Sequence, residues 1–149
     1  MTLKQKIHSH YLQLANEKVT QLQLVLDDLK ESGSNETKST AGDKHETALA
    51  MLQIEQEQKR NQLKEAQLQL VELEKINPAI VAESIVKGSL IKTNKGYLLM
   101  SVALGKAMVD SVTVTALSPQ SPLGGQLMGL RVGATATFNN HQYVIESID

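Results

Sequence analysis

Asp43 and Glu46, in the segment Gly42-Asp43-Lys44-His45-Glu46, are the residues of this chain best suited to chemistry. They stand three apart where a heptad-patterned segment begins, so a helix there carries both on adjoining positions of its first turn. One reading is structural. The pattern D-x-x-E is a capping box, in which Asp43 accepts from the backbone N–H of Glu46 and Glu46 reaches back to the N–H of Asp43. The other reading is chemical. Two carboxylates suit a hard cation such as Mg²⁺, which keeps several waters and takes one or two protein carboxylates, and such an ion can complete a two-metal site for phosphodiester cleavage. Residue types alone leave both readings open, with capping the commoner use of this spacing.

The other titratable residues offer less. His8 and His10 are two apart, so a helix turns them to different faces and they do not share a metal. His45 adjoins the carboxylate pair as a helix-start residue that can titrate near neutrality, and His141 reads as a turn residue. Cysteine is absent, which excludes thiol nucleophiles, disulfides and Cys-ligated zinc. There is no glycine-rich phosphate loop, no His/Glu metal spacing and no nucleophile elbow. Met51, Met100 and Met108 read as packing residues.

The elements that position Asp43 and Glu46 are two long helices. Over residues 3–32, Leu12, Ala15, Val19, Leu22, Leu26 and Leu29 alternate spacings of three and four, an a/d seam. Over residues 45–76 the seam continues with Leu49, Leu52, Leu63, Ala66, Leu70 and Leu73, interrupted by Gln56 and Lys59. Polar seam residues cost stability and fix register. Gly33, Ser34 and Asn35 are expected to break the first helix, and the Ser/Thr/Asn/Gly-rich run to Gly42 to connect the two. A short link makes the helices antiparallel, and some 30 residues give a rod about 45 Å long. The reading is therefore a hairpin over residues 1–77 with an acidic tip near 34–47.

Asn77-Pro78 ends the second helix, and beyond it the chain turns rich in Val, Ile, Thr and Gly. Strands are expected over 84–93 and 97–104 around Asn94-Lys95-Gly96, over 109–117, and near 134–138 and 142–148 around Asn139-Asn140-His141. The segment from Ser118 to Gly129 reads as a loop with a short helix. The fold class is α+β: a coiled-coil hairpin, then a small, mostly antiparallel sheet with one helix over residues 78–149.

Composition narrows the function further. Of 149 residues, aromatics make up 3% against 41% hydrophobic, leaving few base-stacking surfaces. Net charge is −1, and neither half carries a phosphate-neutralising excess: ten Lys/Arg against twelve Asp/Glu to residue 77, five against four after it. Strong direct DNA binding is not expected. Lys30, Lys38, Lys44 and Arg60 read as solvated helix charges. No N-terminal apolar run resembles a signal peptide, and no stretch approaches the roughly 18 apolar residues of a membrane span. The chain reads as soluble and cytoplasmic.

The whole chain resembles the Gre-type bacterial transcript cleavage factors. Gly42-Asp43-x-x-Glu46-x-Ala48 is similar to the family's G-D-x-x-E-N-A tip motif. Ser121-Pro122-Leu123-Gly124, with Leu127, Gly129 and Gly133, resembles its S-P-[IL]-x-x-x-L-x-G-x-x-x-G segment, and Tyr143 to Ile148 its closing strand. The resemblance implies an FK506-binding-protein-like second domain and a hairpin that enters the secondary channel of RNA polymerase. There Asp43 and Glu46 would help hold the second Mg²⁺ of the polymerase active site and the attacking water, while the polymerase cleaves the 3′ end of backtracked RNA. Gln120, Ser121 and Pro122 would contact the polymerase at the channel rim. The chain would then be no enzyme by itself and hold no cofactor in isolation.

Three positions depart from the family pattern. Thr47 replaces the Asn after the tip Glu, Ala50 the aromatic four positions after it, and Ile54 an Arg eight positions after it. These changes keep a second reading in play, a channel-binding regulator that does not stimulate cleavage. A third, a coiled-coil adaptor, needs only the seam and the sheet. Prolyl isomerase activity fits poorly, because such sites are lined with aromatics and the second half offers only Tyr97, Phe138 and Tyr143.

Overall fold

The computed structural model describes the backbone of residues 1–36 and 43–149 and the side chains of residues 1–33 and 46–149. Two long helices, α1 (Leu3–Glu36) and α2 (Asp43–Glu74), precede six strands: β1 (Leu90–Thr93), β2 (Gly96–Met100), β3 (Gly105–Val109), β4 (Val112–Leu117), β5 (Thr135–Phe138) and β6 (His141–Ile148). A short helix, α3 (Pro122–Leu127), lies between β4 and β5. The α+β class follows. The expected tip near 34–47, the capping interaction of Asp43 and the side chains of Lys38, Lys44 and His45 lie outside the described residues, apart from Glu46 and Thr47.

The chain divides into two compact units, Leu14–Leu70 and Met1–Gln13 with Val71–Asp149. Within Leu14–Leu70 the burial pattern reproduces the seam. Ala15, Leu26, Leu63 and Ala66 are buried, while Val19, Leu22, Leu29, Leu49, Leu52, Gln56, Lys59 and Leu70 are half-buried. Leu22 and Val25 lie across from Gln62 and Glu65, and Leu29 lies across from Gln56. Rising numbers on one helix thus meet falling numbers on the other, an antiparallel hairpin.

Gly33 does not break α1, contrary to expectation; the helix runs through it to Glu36. A Cβ at Gly33 would stand 3.2 Å from Gln56 Nε2 and 3.3 Å from Leu52 Cδ2, so the glycine admits a close approach of α2. Met51 is also corrected: it is 66% exposed on the outer face, as Met108 is on the edge strand β3, and only Met100 is a core residue.

The sheet runs β3-β4-β2-β1-β6-β5, with only β2 and β4 parallel. The strand expected over 109–117 is in fact the end of one strand and all of the next. Asp110 and Ser111 adopt φ of 51° and 63° and fold β3 back on β4. Asn139 and Asn140, at 51° and 64°, do the same between β5 and β6. Consecutive left-handed residues make the tight turn whose twist matches the strands it joins. Asn tolerates that conformation and announces it; Asp-Ser without glycine does not. His141 is accordingly the first residue of β6, opposite Phe138, and no turn residue. The first expected strand contracts to Leu90–Thr93, with Ser84 held to Arg131 by an isolated bridge.

Alternation fills both faces of the sheet. Ile91, Leu98, Met100, Leu117, Ile145 and Ile148 share one core with Ile85 and with Leu127 of α3. Leu90, Leu99, Val114 and Ala116 point the other way and are equally buried. In the same unit Ile7, Tyr11 and Leu73 are fully buried at the chain ends of α1 and α2. The Tyr11 hydroxyl donates to Gly105 O at 2.7 Å, with Val114 O at 3.2 Å.

Tyr11→Phe removes that donor and should lower stability by about 1 kcal/mol at neutral pH. Burial raises the phenol above its ordinary value of 10.0, so the folded chain holds this proton more tightly than the unfolded one. The linked stability is complete below that ordinary value and is lost as pH rises through the folded one. In urea melts the advantage of wild type over Tyr11→Phe should therefore hold up to the ordinary phenol value of 10.0 and shrink only as pH rises above it. A constant difference would contradict the linkage.

Candidate functional site

The two sets of residues singled out by sequence fall in different compact units. Asp43 is the first residue of α2 and Glu46 lies in its first turn, exposed. A carboxylate at a helix start is favoured by the unpaired N–H groups and the positive end of the helix dipole. Glu46, Thr47, Ala50 and Ile54 are spaced by one, three and four, and all are exposed. Ala50 and Ile54 thus continue a solvent-facing stripe from Glu46, with Thr47 exposed beside it, away from the Leu52 and Gln56 seam. Ile54 is 57% exposed, so its side chain contributes to surface chemistry and not to packing.

Among the described residues, no group of three or more His, Asp or Glu stands together as a metal cage. The one described tip carboxylate, Glu46, suits a cation whose other positions are filled by water or by a partner's ligands, as Mg²⁺ allows.

Gln120, Ser121 and Pro122 are built into one small hydrogen-bonded corner at the end of β4. Ser118 organises it: its Oγ donates to Gln120 Oε1 at 2.6 Å and accepts from Gln120 N at 3.1 Å. Its carbonyl accepts from Ser121 N at 3.0 Å and from Ser121 Oγ at 2.7 Å. Ser121 is the N-cap of α3, its Oγ accepting from Gly124 N at 3.0 Å. Pro122 follows at the first helical position, where a missing N–H costs nothing and the fixed φ suits the helix. The result presents Gln120 and Pro122 exposed on a rigid corner, with Ser121 half-buried beneath.

Gly124 is what lets this corner close. A Cβ on it would fall 2.0 Å from Ser118 O and 2.8 Å from Ser121 Oγ, so the motif Ser-Pro-Leu-Gly has a steric reason for its last letter.

The structure adds groups that sequence patterns did not mark. Lys4, His8 and Tyr11 lie on one face of α1 and are all buried. Lys4 Nζ donates to Ile80 O at 2.6 Å and His8 Nε2 to Leu73 O at 2.8 Å. Burial lowers the Lys4 pKa, a shift that Asp149 partly opposes. The only signal in the sequence was the continuation of the seam spacing backward from Leu12 and Ala15 through Tyr11, His8 and Lys4. A groove of about 260 Å³ is lined by Glu72, Lys75, Ile76, Asn77, Ile80 and Val86 to Ser89. Glu72 pairs there with both Lys75 and Lys87; no motif foretold it.

Gly124→Ala should destabilise the Met1–Gln13/Val71–Asp149 unit by about 3 kcal/mol or more, the scale of a forced core clash. Ser121→Ala, which loses only the cap, should cost about 1 kcal/mol. Chemical denaturation checks both, and equal costs would refute the steric role of Gly124. Comparison of the chain with protein-family models, with curated proteins and with solved structures finds no match.

Proposed function

We propose that this chain is a Gre-type factor of bacterial RNA polymerase: its helical hairpin enters the secondary channel and its tip carboxylates assist the polymerase in cleaving backtracked RNA. The observation that carries this reading is an antiparallel hairpin whose second helix opens with Asp43 and an exposed Glu46, in one chain with a six-stranded sheet unit that presents the Gln120-Ser121-Pro122 corner. The reading also rests on the order and spacing of the two Gre-like motifs.

The division of labour follows from the chemistry. Asp43 and Glu46 supply oxygen ligands and accept hydrogen bonds from an attacking water. The polymerase supplies RNA, the first metal and the remaining ligands. Asp43 and Glu46, together with ligands of the polymerase, would hold a second Mg²⁺, which would supply Lewis-acid stabilisation of the charge developing in the displacement. On this reading the factor is not an enzyme in isolation, its site of action is cytoplasmic, and Gln120 and Pro122 face the channel rim.

A channel-binding regulator without cleavage activity is the second reading. It draws on the exposed Thr47, Ala50 and Ile54 beside Glu46, where the family's amide, aromatic and cation are all missing.

Combined Asp43→Ala and Glu46→Ala separates the two. Wild type should speed transcript shortening in a stalled, backtracked polymerase complex, and the double variant should lose that stimulation by about 10²-fold or more, the scale of removing electrostatic stabilisation from a reacting centre. It should still compete with wild type for polymerase. Equal cleavage by both proteins would end the proposal; binding without cleavage by either would favour the regulator.

A further inference from the structure

Gly33 and Gln56 are two residues that an apolar helix seam does not call for, and they face each other. Glycine is the poorest helix former after proline, yet α1 continues through Gly33 to Glu36. Gln56 occupies a seam position between Leu52 and Leu63, where a leucine would bury more apolar surface. Its Nε2 donates to Leu29 O at 3.0 Å, and the same nitrogen would stand 3.2 Å from a Cβ at position 33.

In an α-helix Leu29 O already accepts from the N–H four residues on, that of Gly33. The Gln56 bond therefore repairs no orphan carbonyl. It is an additional tie, made to the backbone of α1 at a point where a Cβ on residue 33 would crowd it. A side chain that reaches a backbone atom fixes both the separation and the rotation of two helices. Apolar knobs tolerate a wider range of either. Glu46 lies ten residues before Gln56 on the same helix, about 15 Å along its axis.

We propose that Gln56 is a positioning residue: its bond to Leu29 O, admitted by Gly33, fixes the first turns of α2 against α1 and so the direction in which Glu46 is presented. The consequence for cleavage rests on the proposed function; the structural tie does not. Stability and activity should then respond in opposite directions to an apolar replacement, as is expected of a polar group retained in a seam for geometry.

Gln56→Leu is the test, with Gly33→Ala as a second route to the same bond. Because the chain has no cysteine, spin labels can be attached cleanly through Ser32→Cys and Met51→Cys, both exposed positions. The labelled wild-type background should give one narrow inter-helix distance, and Gln56→Leu a distribution roughly twice as broad, with an equal or higher melting temperature, since the seam gains a leucine. In the transcript-cleavage assay the maximal rate at saturating factor should fall roughly fivefold, the scale of one lost hydrogen bond, while the half-saturating concentration stays the same. An unchanged distance distribution in both variants overturns the proposal, as does a broadened one with an unchanged maximal rate. Parallel loss of melting temperature and rate in Gln56→Leu also overturns it, by assigning Gln56 a merely structural role. If wild type itself stimulates no cleavage, the functional reading fails, and the distance measurement still decides whether the tie exists.

Discussion

The donation of three buried side chains on one face of α1 to main-chain carbonyls is the constraint on which the Met1–Gln13/Val71–Asp149 unit depends. Lys4, His8 and Tyr11 reach Ile80, Leu73 and Gly105, partners 76, 65 and 94 residues away. Each acceptor is a backbone atom where regular pairing stops: the last turn of α2, the linker after it, and the first residue of the edge strand β3. Helix ends and edge strands leave such carbonyls without partners, and burying them unpaired would cost about 1–3 kcal/mol each, roughly what a good bond recovers. A helix face made only of leucine would fill the same volume and lose all three bonds, with Leu73 O keeping only its bond from Ile76 N at 3.2 Å. The price is a desolvated ammonium on Lys4, visible in its lowered pKa, with Asp149 opposing the shift.

Much of the fold was legible because it follows from period. The three-and-four spacing of Ala15 to Leu29 and of Leu63 to Leu73 predicted the hairpin seam, and alternation with Asn-Lys-Gly and Asn-Asn turns predicted the strands on either side of each. The misses have local causes. Asp110-Ser111 makes a left-handed turn without glycine, so the strand over 109–117 takes in β4 and only Val109 of β3. Propensity marks Gly33 as a stop, whereas in the structure the helix runs through it beside the closely packed Leu52 and Gln56. Lys4 and His8 carry no packing signal in the sequence, because charged and polar residues at seam positions look like interruptions until their carbonyl partners, far along the chain, are known.

The candidate site divides in the same way. Ser121-Pro122 could be read as a helix start from residue types, and the geometry is that of a capped helix. Gly124 could not, since its role depends on the carbonyl of Ser118 folding back to within 2.0 Å of where a Cβ would stand. For Glu46 the spacing from Asp43 carries two meanings. The structure adds that Glu46 is exposed and that Ala50 and Ile54 continue its stripe, with Thr47 exposed beside it. Ala50 is four residues from Glu46 and Ile54 four from Ala50, so a partner that touches Glu46 and follows the helix axis meets two of the positions where the Gre-like pattern changes.

Exposure is also what a donated carboxylate requires. An acid buried within its own chain is either paired, and unavailable, or held neutral by desolvation. One left in water keeps its charge at little cost, and meets the desolvation penalty only when a partner encloses it, where a metal ion and the partner's cations can offset that penalty. Affinity of such a carboxylate for Mg²⁺ in free solution is then weak by construction, because water supplies most of the ligands. On the proposed reading this weakness is useful: the ion is held tightly only where both proteins contribute oxygens, so cleavage is confined to the assembled complex. The geometry of presentation then matters more than intrinsic affinity. That makes the seam between Leu29, Gly33 and Gln56, and not the carboxylate alone, the part of the hairpin on which the chemistry would turn.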